Sequence, residues 1–285
     1  MALTIVESID ELRADLDRSR AAGDDVGFVP TMGYLHAGHL SLVEAARARH
    51  ARVVVSIFVN PLQFAVGEDL GAYPRDLDRD VGLCADAGVD VVFAPSVEEM
   101  YPFGPVATTV TVGGISERFE GATRPTHFAG VATVVAKLFN IVGPCAAYFG
   151  EKDFQQLAVV RRMAVDLSAP IDVVGCPIVR EPDGLAMSSR NVYLDDAQRA
   201  AAPVLQRALQ RGRASIEAGE RDPDAVVAAM AELIDAEPLA ELDYVAVVDA
   251  VTLEVPERLA GELRLLGAAQ VGRPRLIDNV GVTIP

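Results

Sequence analysis

The sequence is poor in whatever would staple it, thread it through a membrane or hold it on a polyanion. Cysteine occurs three times, at Cys84, Cys145 and Cys176, odd in number, far apart and outside any C-x-x-C spacing. Neither a disulfide framework nor a zinc site is indicated, and a reducing, cytoplasmic setting is expected. Long apolar runs are missing too: Phe128 to Val142, the longest, carries Lys137 in its middle and is too short to cross a bilayer, so no membrane association is expected. Met1 to Arg20 mix apolar and charged groups and lack the apolar centre and cleavage site of a secretory signal. No Lys/Arg run tracks a phosphate backbone, and 25 basic residues face 41 acidic ones, −16 formally. Nucleic acid is therefore not an expected partner. Small anionic substrates remain compatible, since surface charge is screened beyond about 8 Å while charges in a cleft act locally.

What the chain does have is apolar content, 51% of 285 residues, enough for one large domain or two ordinary ones. Short β-branched runs read as buried strands at Val26 to Pro30, Arg52 to Val59, Val89 to Ala94, Ala146 to Phe149 and Ile171 to Cys176. Helical periodicity separates them at Leu40 to Arg49, Leu77 to Ala87, Phe128 to Val142 and Phe154 to Leu167. This alternation predicts an α/β fold, a parallel sheet with helices on both faces, whose ligands bind at the carboxyl ends of strands near the switch in strand order. After the loop from Glu181 to Arg190 the pattern changes. Helices over Asp195 to Ala218 and Pro223 to Ala236, then strands over Leu242 to Val248, Leu263 to Val271 and Arg275 to Val280, read as a smaller α+β domain beginning near Tyr193.

Three segments sit where chemistry is expected. The first strand runs into Pro30-Thr31-Met32-Gly33 and on through His36, Gly38 and His39 into a helix starting near Leu40. Gly33 and Gly38 would let backbone approach a phosphate, the helix start would offer N–H groups and its positive dipole end, and the two histidines would face the same way as donors. By itself H-x-x-H more often marks incidental histidines, and it lacks both a third ligand and the i, i+4 spacing of a zinc helix. The second segment, Gly150-Glu151-Lys152-Asp153, follows a later strand; Lys152 could reach an α-phosphate, and Glu151 and Asp153 could hold ribose hydroxyls or magnesium. The third, Asp183-Gly184-Leu185-Ala186-Met187-Ser188-Ser189-Arg190-Asn191, reads through Ser188, Ser189 and Arg190 as a mobile phosphate clamp resembling the second signature loop of class I nucleotidyl-transfer enzymes. Gln63 and Gln156 suit the hydroxyls and carboxylate of a small polar acid, and Arg124 or His127 could help neutralise it.

Taken in order, P-T-M-G-Y-L-H-A-G-H, S-I-F-V-N-P-L-Q-F, A-Y-P-R, R-P-T-H-F-A-G-V, F-G-E-K-D-F-Q-Q and D-G-L-A-M-S-S-R-N resemble the pantothenate synthetase family, ligases that join pantoate to β-alanine with ATP. The resemblance covers about Val29 to Asn191. It implies a Rossmann-like, H-x-G-H nucleotidyl-transfer type of fold, with an ATP- and pantoate-binding domain over residues 1–190 and a smaller C-terminal domain over 191–285. It implies that Met32, Gly33, Tyr34, Leu35, His36, Ala37, Gly38 and His39 line the ATP site, that Gly150 to Asp153, Val179 and Met187 to Arg190 contact ATP, and that Gln63 and Gln156 hold pantoate. His39, His36, Lys152 and Arg190 would stabilise transferred charge. Magnesium and a homodimer are implied as well. The nearest rival reading is a nucleotidyltransferase that adenylylates a phosphorylated small molecule.

Overall fold

The computed structural model describes residues 3–65, 70–71, 73–104 and 106–285. Met1, Ala2 and the Ala72 of A-Y-P-R lie outside the described residues. The chain divides into two compact units, residues 1–151 with 155–177, and residues 152–154 with 178–285.

In the first unit the elements follow in the order β1 (Thr4–Val6), α1 (Ile9–Ala21), β2 (Val26–Thr31), α2 (Ala37–Arg47), β3 (Arg52–Ile57), α3 (Leu77–Asp86), β4 (Val91–Phe93), the single turns α4 (Val97–Met100) and α5 (Glu120–Thr123), α6 (His127–Val142), β5 (Cys145–Gly150), α7 (Phe154–Asp166) and β6 (Ile171–Cys176). The strands make one six-stranded sheet, β1-β4-β3-β2-β5-β6, in which every pairing is parallel. From β2 the chain builds outward through β3 and β4 on one side, then returns to add β5 and β6 on the other. The strand order therefore switches between β2 and β5.

Side chains alternate across this sheet as its pleat requires. Val26, Phe28, Val54, Val91, Phe93, Ala147 and Phe149 enter a core shared with α1 and α6, whereas Val29, Val53, Val55, Val92 and Tyr148 enter one shared with α2 and α3. Both faces are covered, and that is why the strands read as continuous apolar runs. The short edge strand β1 and the helix after it were not expected, because residues up to Arg20 show only mixed polarity. Ser8 and Glu11 form a capping box there, and only Leu12 and Leu16 of α1 are buried.

The second unit contains α8 (Asp196–Ala201), α9 (Val204–Glu217), α10 (Pro223–Asp235), β7 (Ala240–Asp249), β8 (Gly261–Val271) and β9 (Arg275–Ile284). The strands form an antiparallel meander, and Leu205, Leu209, Ile216, Val226 and Met230 of α9 and α10 pack with Leu263, Leu265, Leu276 and Val280 of the sheet. The single helix expected over Asp195 to Ala218 is two: Pro203, with no N–H to give, ends α8 and caps α9.

One close approach fixes where α6 sits in the first unit. A Cβ added at Gly130 would lie 2.2 Å from the Leu62 carbonyl oxygen and 2.7 Å from the Gln63 Cα. We expect Gly130→Ala to destabilise the protein by about 1–3 kcal/mol through overpacking, against an intrinsic helix preference of about 1 kcal/mol in alanine's favour. Urea unfolding reads the sign, and a more stable variant would refute the close-packing argument.

Candidate active site

The turn after β2 is built around a carboxylate that no sequence pattern marks. Gly33 (φ 83°) and Tyr34 (φ 53°) are both left-handed, and together they point successive amides at Asp80, which comes from α3 and is 1% exposed. Its carboxylate accepts from the Tyr34 N–H at 2.6 Å and the Leu35 N–H at 2.8 Å, while the Gly33 amide goes to the Thr31 hydroxyl at 3.1 Å. Arg79 Nη1 lies 3.3 Å from the same carboxylate, donates through Nη2 to the Leu35 carbonyl at 2.9 Å, and stands over the Tyr34 ring. Burial, and then the Asp80 charge, push the neighbouring Cys84 thiol up to about 12.

The two glycines therefore have reasons other than the expected one. A Cβ at Gly33 would meet Asp80 Oδ2 at 3.0 Å, and one at Gly38 would meet the His36 ring at 2.9 Å. They make room for the protein's own carboxylate and imidazole, and the amides of residues 33–35 are bonded within the chain. The helix also starts earlier than expected, because His36 caps it. His36 Nδ1 accepts from the Gly38 N–H at 3.1 Å, and His39 Nδ1 accepts from the His36 N–H at 3.3 Å, a capping box made from two histidines. A nitrogen that accepts carries no proton, so in each neutral ring the N–H is Nε2. The ring centroids are 4.1 Å apart, in keeping with the expectation that both face one way.

The neighbouring strand end holds the predicted acid-binding glutamine. Asn60 caps a short 3-10 turn over Pro61–Gln63 by accepting from the Leu62 N–H, and it also accepts from the Tyr101 hydroxyl at 2.8 Å. Burial pushes that hydroxyl up to about 12, which keeps it a donor. Asn60 Nδ2 donates to Gln63 Oε1 at 3.2 Å and to the Gly130 carbonyl at 3.1 Å. Gln63 Nε2 then points at the soft Met32 sulfur, 3.0 Å away, a weak acceptor that leaves donor capacity for a ligand. Arg124 and His127, expected to neutralise an acid, donate to the Gln63 carbonyl at 3.2 and 3.1 Å; in the structure they hold this turn. The two glutamines that open α7 also divide. Gln155, buried, clamps the Ile115 and Arg118 carbonyls and the Glu120 amide, whereas Gln156 is half-buried with no side-chain hydrogen bond to another of the described residues.

Gly150 ends β5 and Glu151 opens the 3-10 turn after it, both in the first unit; Lys152 and Asp153 belong to the second. Lys152 is one of only two lysines in the chain, against 23 arginines. Its Nζ is 3.7 Å from Asp153 Oδ1, and its carbonyl accepts from Asn279 Nδ2 at 2.9 Å. The segment bearing Val179 and Met187 to Arg190 is a small hairpin in which the Met187 N–H donates to the Val179 carbonyl and Arg180 bridges to Ala186. Arg180 grips Asp278 of β9 through both nitrogens, at 2.6 and 2.9 Å, and the Gly184 carbonyl at 2.9 Å. Asp183, held below the usual carboxylate range by Arg199, closes the tip. The expected mobile clamp is thus anchored. Its Ser188 hydroxyl caps a 3-10 turn by accepting from the Arg190 N–H, Ser189 is half-buried, and the Arg190 side chain stands exposed. Asp80, Asn60 and the Asp278–Asn279 pair were not singled out from sequence. Only Asn60, an asparagine before a proline at a turn start, carried a local signal.

A family model described as pantoate-beta-alanine ligase matches residues 4–281. The chain belongs to the pantoate–β-alanine ligase family. Among members of that family, it is 57% identical to a pantothenate synthetase of Heliobacterium modesticaldum, over 99% of this chain and 100% of that one. It is 55% identical to one of Roseiflexus castenholzii, over 97% and 98% of the two chains. The fold matches the crystal structure of the Thermus thermophilus pantothenate synthetase with a TM-score of 0.93 at 52% identity, covering 99% and 100%. It also matches a Francisella tularensis pantoate–β-alanine ligase complexed with β,γ-ATP and β-alanine, with a TM-score of 0.79 at 33% identity, covering 98% and 97%. Thus the family's match extends well past Asn191, through the C-terminal unit.

Removing the carboxylate beneath the β2 turn leaves two amides without their acceptor. At about 1–3 kcal/mol for each such group, Asp80→Ala should cost about 2–6 kcal/mol. Chemical denaturation measures it, and wild-type stability would show that the pair of bonds contributes nothing.

Proposed function

We propose that the chain catalyses the ATP-dependent condensation of pantoate with β-alanine through a pantoyl-adenylate, releasing AMP and pyrophosphate. The observation that carries the reading is the histidine pair at the carboxyl end of β2. Its Nδ1 atoms are engaged on backbone, so the donors it can turn toward an anion are its Nε2–H groups. At the end of the adjacent strand β3, Gln63 supplies an uncharged amide held by Asn60 and Met32.

A carboxylate does not acylate an amine directly because oxide is too poor a leaving group. In the proposed reaction a pantoate carboxylate oxygen bonds to the α-phosphorus as the bond to pyrophosphate breaks. The β-alanine amine then attacks the acyl carbon, AMP departs with the C–O electron pair, and one amine proton is released. His36, His39, Lys152 and Arg190 would stabilise the charge that builds on the phosphate during the first step. Gln63 and Gln156 would hold pantoate, and Arg124 and His127, which also bond the Gln63 carbonyl, would help neutralise its carboxylate. Gly150, Glu151, Asp153, Val179 and Met187 to Ser189 complete the residues assigned to ATP.

Magnesium belongs to the same proposal as a companion of the nucleotide. It is commonly bound by one or two carboxylates plus phosphate oxygens, and Glu151 and Asp153 are the carboxylates of that turn. Among the described residues no group of three or more His, Cys, Asp or Glu could hold a metal by itself, so the ion would be held in part by ATP. The ATP- and pantoate-binding portion is taken as residues 1–190, with 191–285 a smaller domain. A homodimer and a cytoplasmic setting complete the reading; among the described residues no helix is long and apolar enough to cross a membrane.

Pyrophosphate exchange into ATP tests the central step. Exchange is expected only with pantoate present, and His39→Ala should slow it at least a hundredfold, roughly the effect of losing one donor from an oxyanion site, while circular dichroism stays native. Exchange that needs a phosphorylated acceptor instead, or a folded His39→Ala of full activity, would overturn the proposal.

A further inference from the structure

The C-terminal sheet has one face on α9 and α10, to which Leu263, Leu265, Leu276 and Val280 contribute. By strand alternation Arg264 and Asn279 lie on the other face, and that is where residues 152–154 are seated. The Arg264 guanidinium stacks over the Phe154 ring, 4.1 Å from its centroid, and its Nε donates to Asn279 Oδ1 at 2.7 Å. Asn279, 2% exposed, donates through Nδ2 to the Lys152 carbonyl at 2.9 Å. Its own carbonyl accepts from Arg180 at 3.3 Å, and its amide donates to Asp278 Oδ1 at 2.7 Å. Asp278 in turn holds Arg180, the anchor of the hairpin that carries Met187 to Arg190.

We propose that Asn279 is a positioning residue for the adenylation step, fixing the Lys152 peptide from β9 so that the lysine's ammonium is aimed at the transferred phosphate. The inference rests on the proposed role of Lys152. A lysine is a point charge on four flexible carbons, so its reach is set by where its backbone is held. Electrostatic stabilisation tolerates displacements of only about 0.5 Å. The orientation of Asn279 is itself determined: its oxygen faces an arginine that can only donate, so its nitrogen must face the carbonyl. Asn279→Asp preserves the Arg264 bond but turns an acceptor toward the Lys152 carbonyl.

The test is a double-mutant cycle on pantoate-dependent pyrophosphate exchange in the full-length protein, with Asn279→Asp and Asn279→Ser each made alone and with Lys152→Ala. For each asparagine variant alone we expect kcat to fall roughly tenfold to hundredfold, the range for residues that orient a functional group, with the KM for pantoate within about twofold of wild type. In the Lys152→Ala background the same changes should cost nothing further. An equal loss in both backgrounds, or wild-type exchange by a folded Asn279→Ser, overturns the proposal. If Lys152→Ala alone exchanges at the wild-type rate, it is the assigned role of Lys152 that fails, and the two failures are distinguishable.

Discussion

The turn between β2 and α2 has its shape because the Asp80 carboxylate, brought from α3, fills the concavity made by the left-handed pair Gly33 and Tyr34. A cradle of this kind, with amides pointing inward, is an anion site by nature, and here the anion is part of the chain. Much else in this unit depends on that occupancy. With the backbone donors of the turn neutralised internally, the proposed recognition of a phosphate would have to come from side chains, the imidazole Nε2–H groups among them. Rigidity compensates for the lost amides: His36 and His39 cap the helix they introduce, and each ring is oriented by a backbone bond at its Nδ1.

Much of the architecture was legible in the sequence because apolar periodicity reports burial directly. Each of the buried strands read between Val26 and Cys176 exists, and Ile171–Cys176 has the expected limits. The misses have physical causes. Thr4–Val6 is an edge strand of three residues, too short for a pattern, and one proline divided a run of alanine-rich helix. In the candidate site, residue types and their order could be read, but partners could not. Gln155 and Gln156 are adjacent and chemically identical, yet one is spent on three backbone groups of the 115–120 loop and the other is not. That Arg124 and His127 are donors could be read, but not that both would reach the Gln63 carbonyl. Polar pairing of this kind links positions tens of residues apart and leaves no periodic trace.

The C-terminal unit was the least legible part, yet it holds Met187 to Arg190 entire and the Lys152-Asp153 half of the segment proposed to meet the nucleotide. Its apolar core accounts for its fold, but the group that ties the functional segments to it is polar, the Asp278–Asn279 pair with Arg180 and Arg264 around it. Such a network is stable only when every member is satisfied. That explains why a carboxylate, a carboxamide and two guanidinium groups cluster together in so small a unit.

The membership of residues 152–154 in the second unit has a bearing on how such a protein can change over generations. Because these three residues lie inside the sequence of the first unit, the second is not a cassette that a single recombination event after Pro177 could exchange. A foreign C-terminal half would meet this chain's Phe154 ring and Lys152 carbonyl, which Arg264 and Asn279 cover and bond here. The two stretches are heritable as a set, so variation in the terminal strand should track variation in a tripeptide more than a hundred positions upstream.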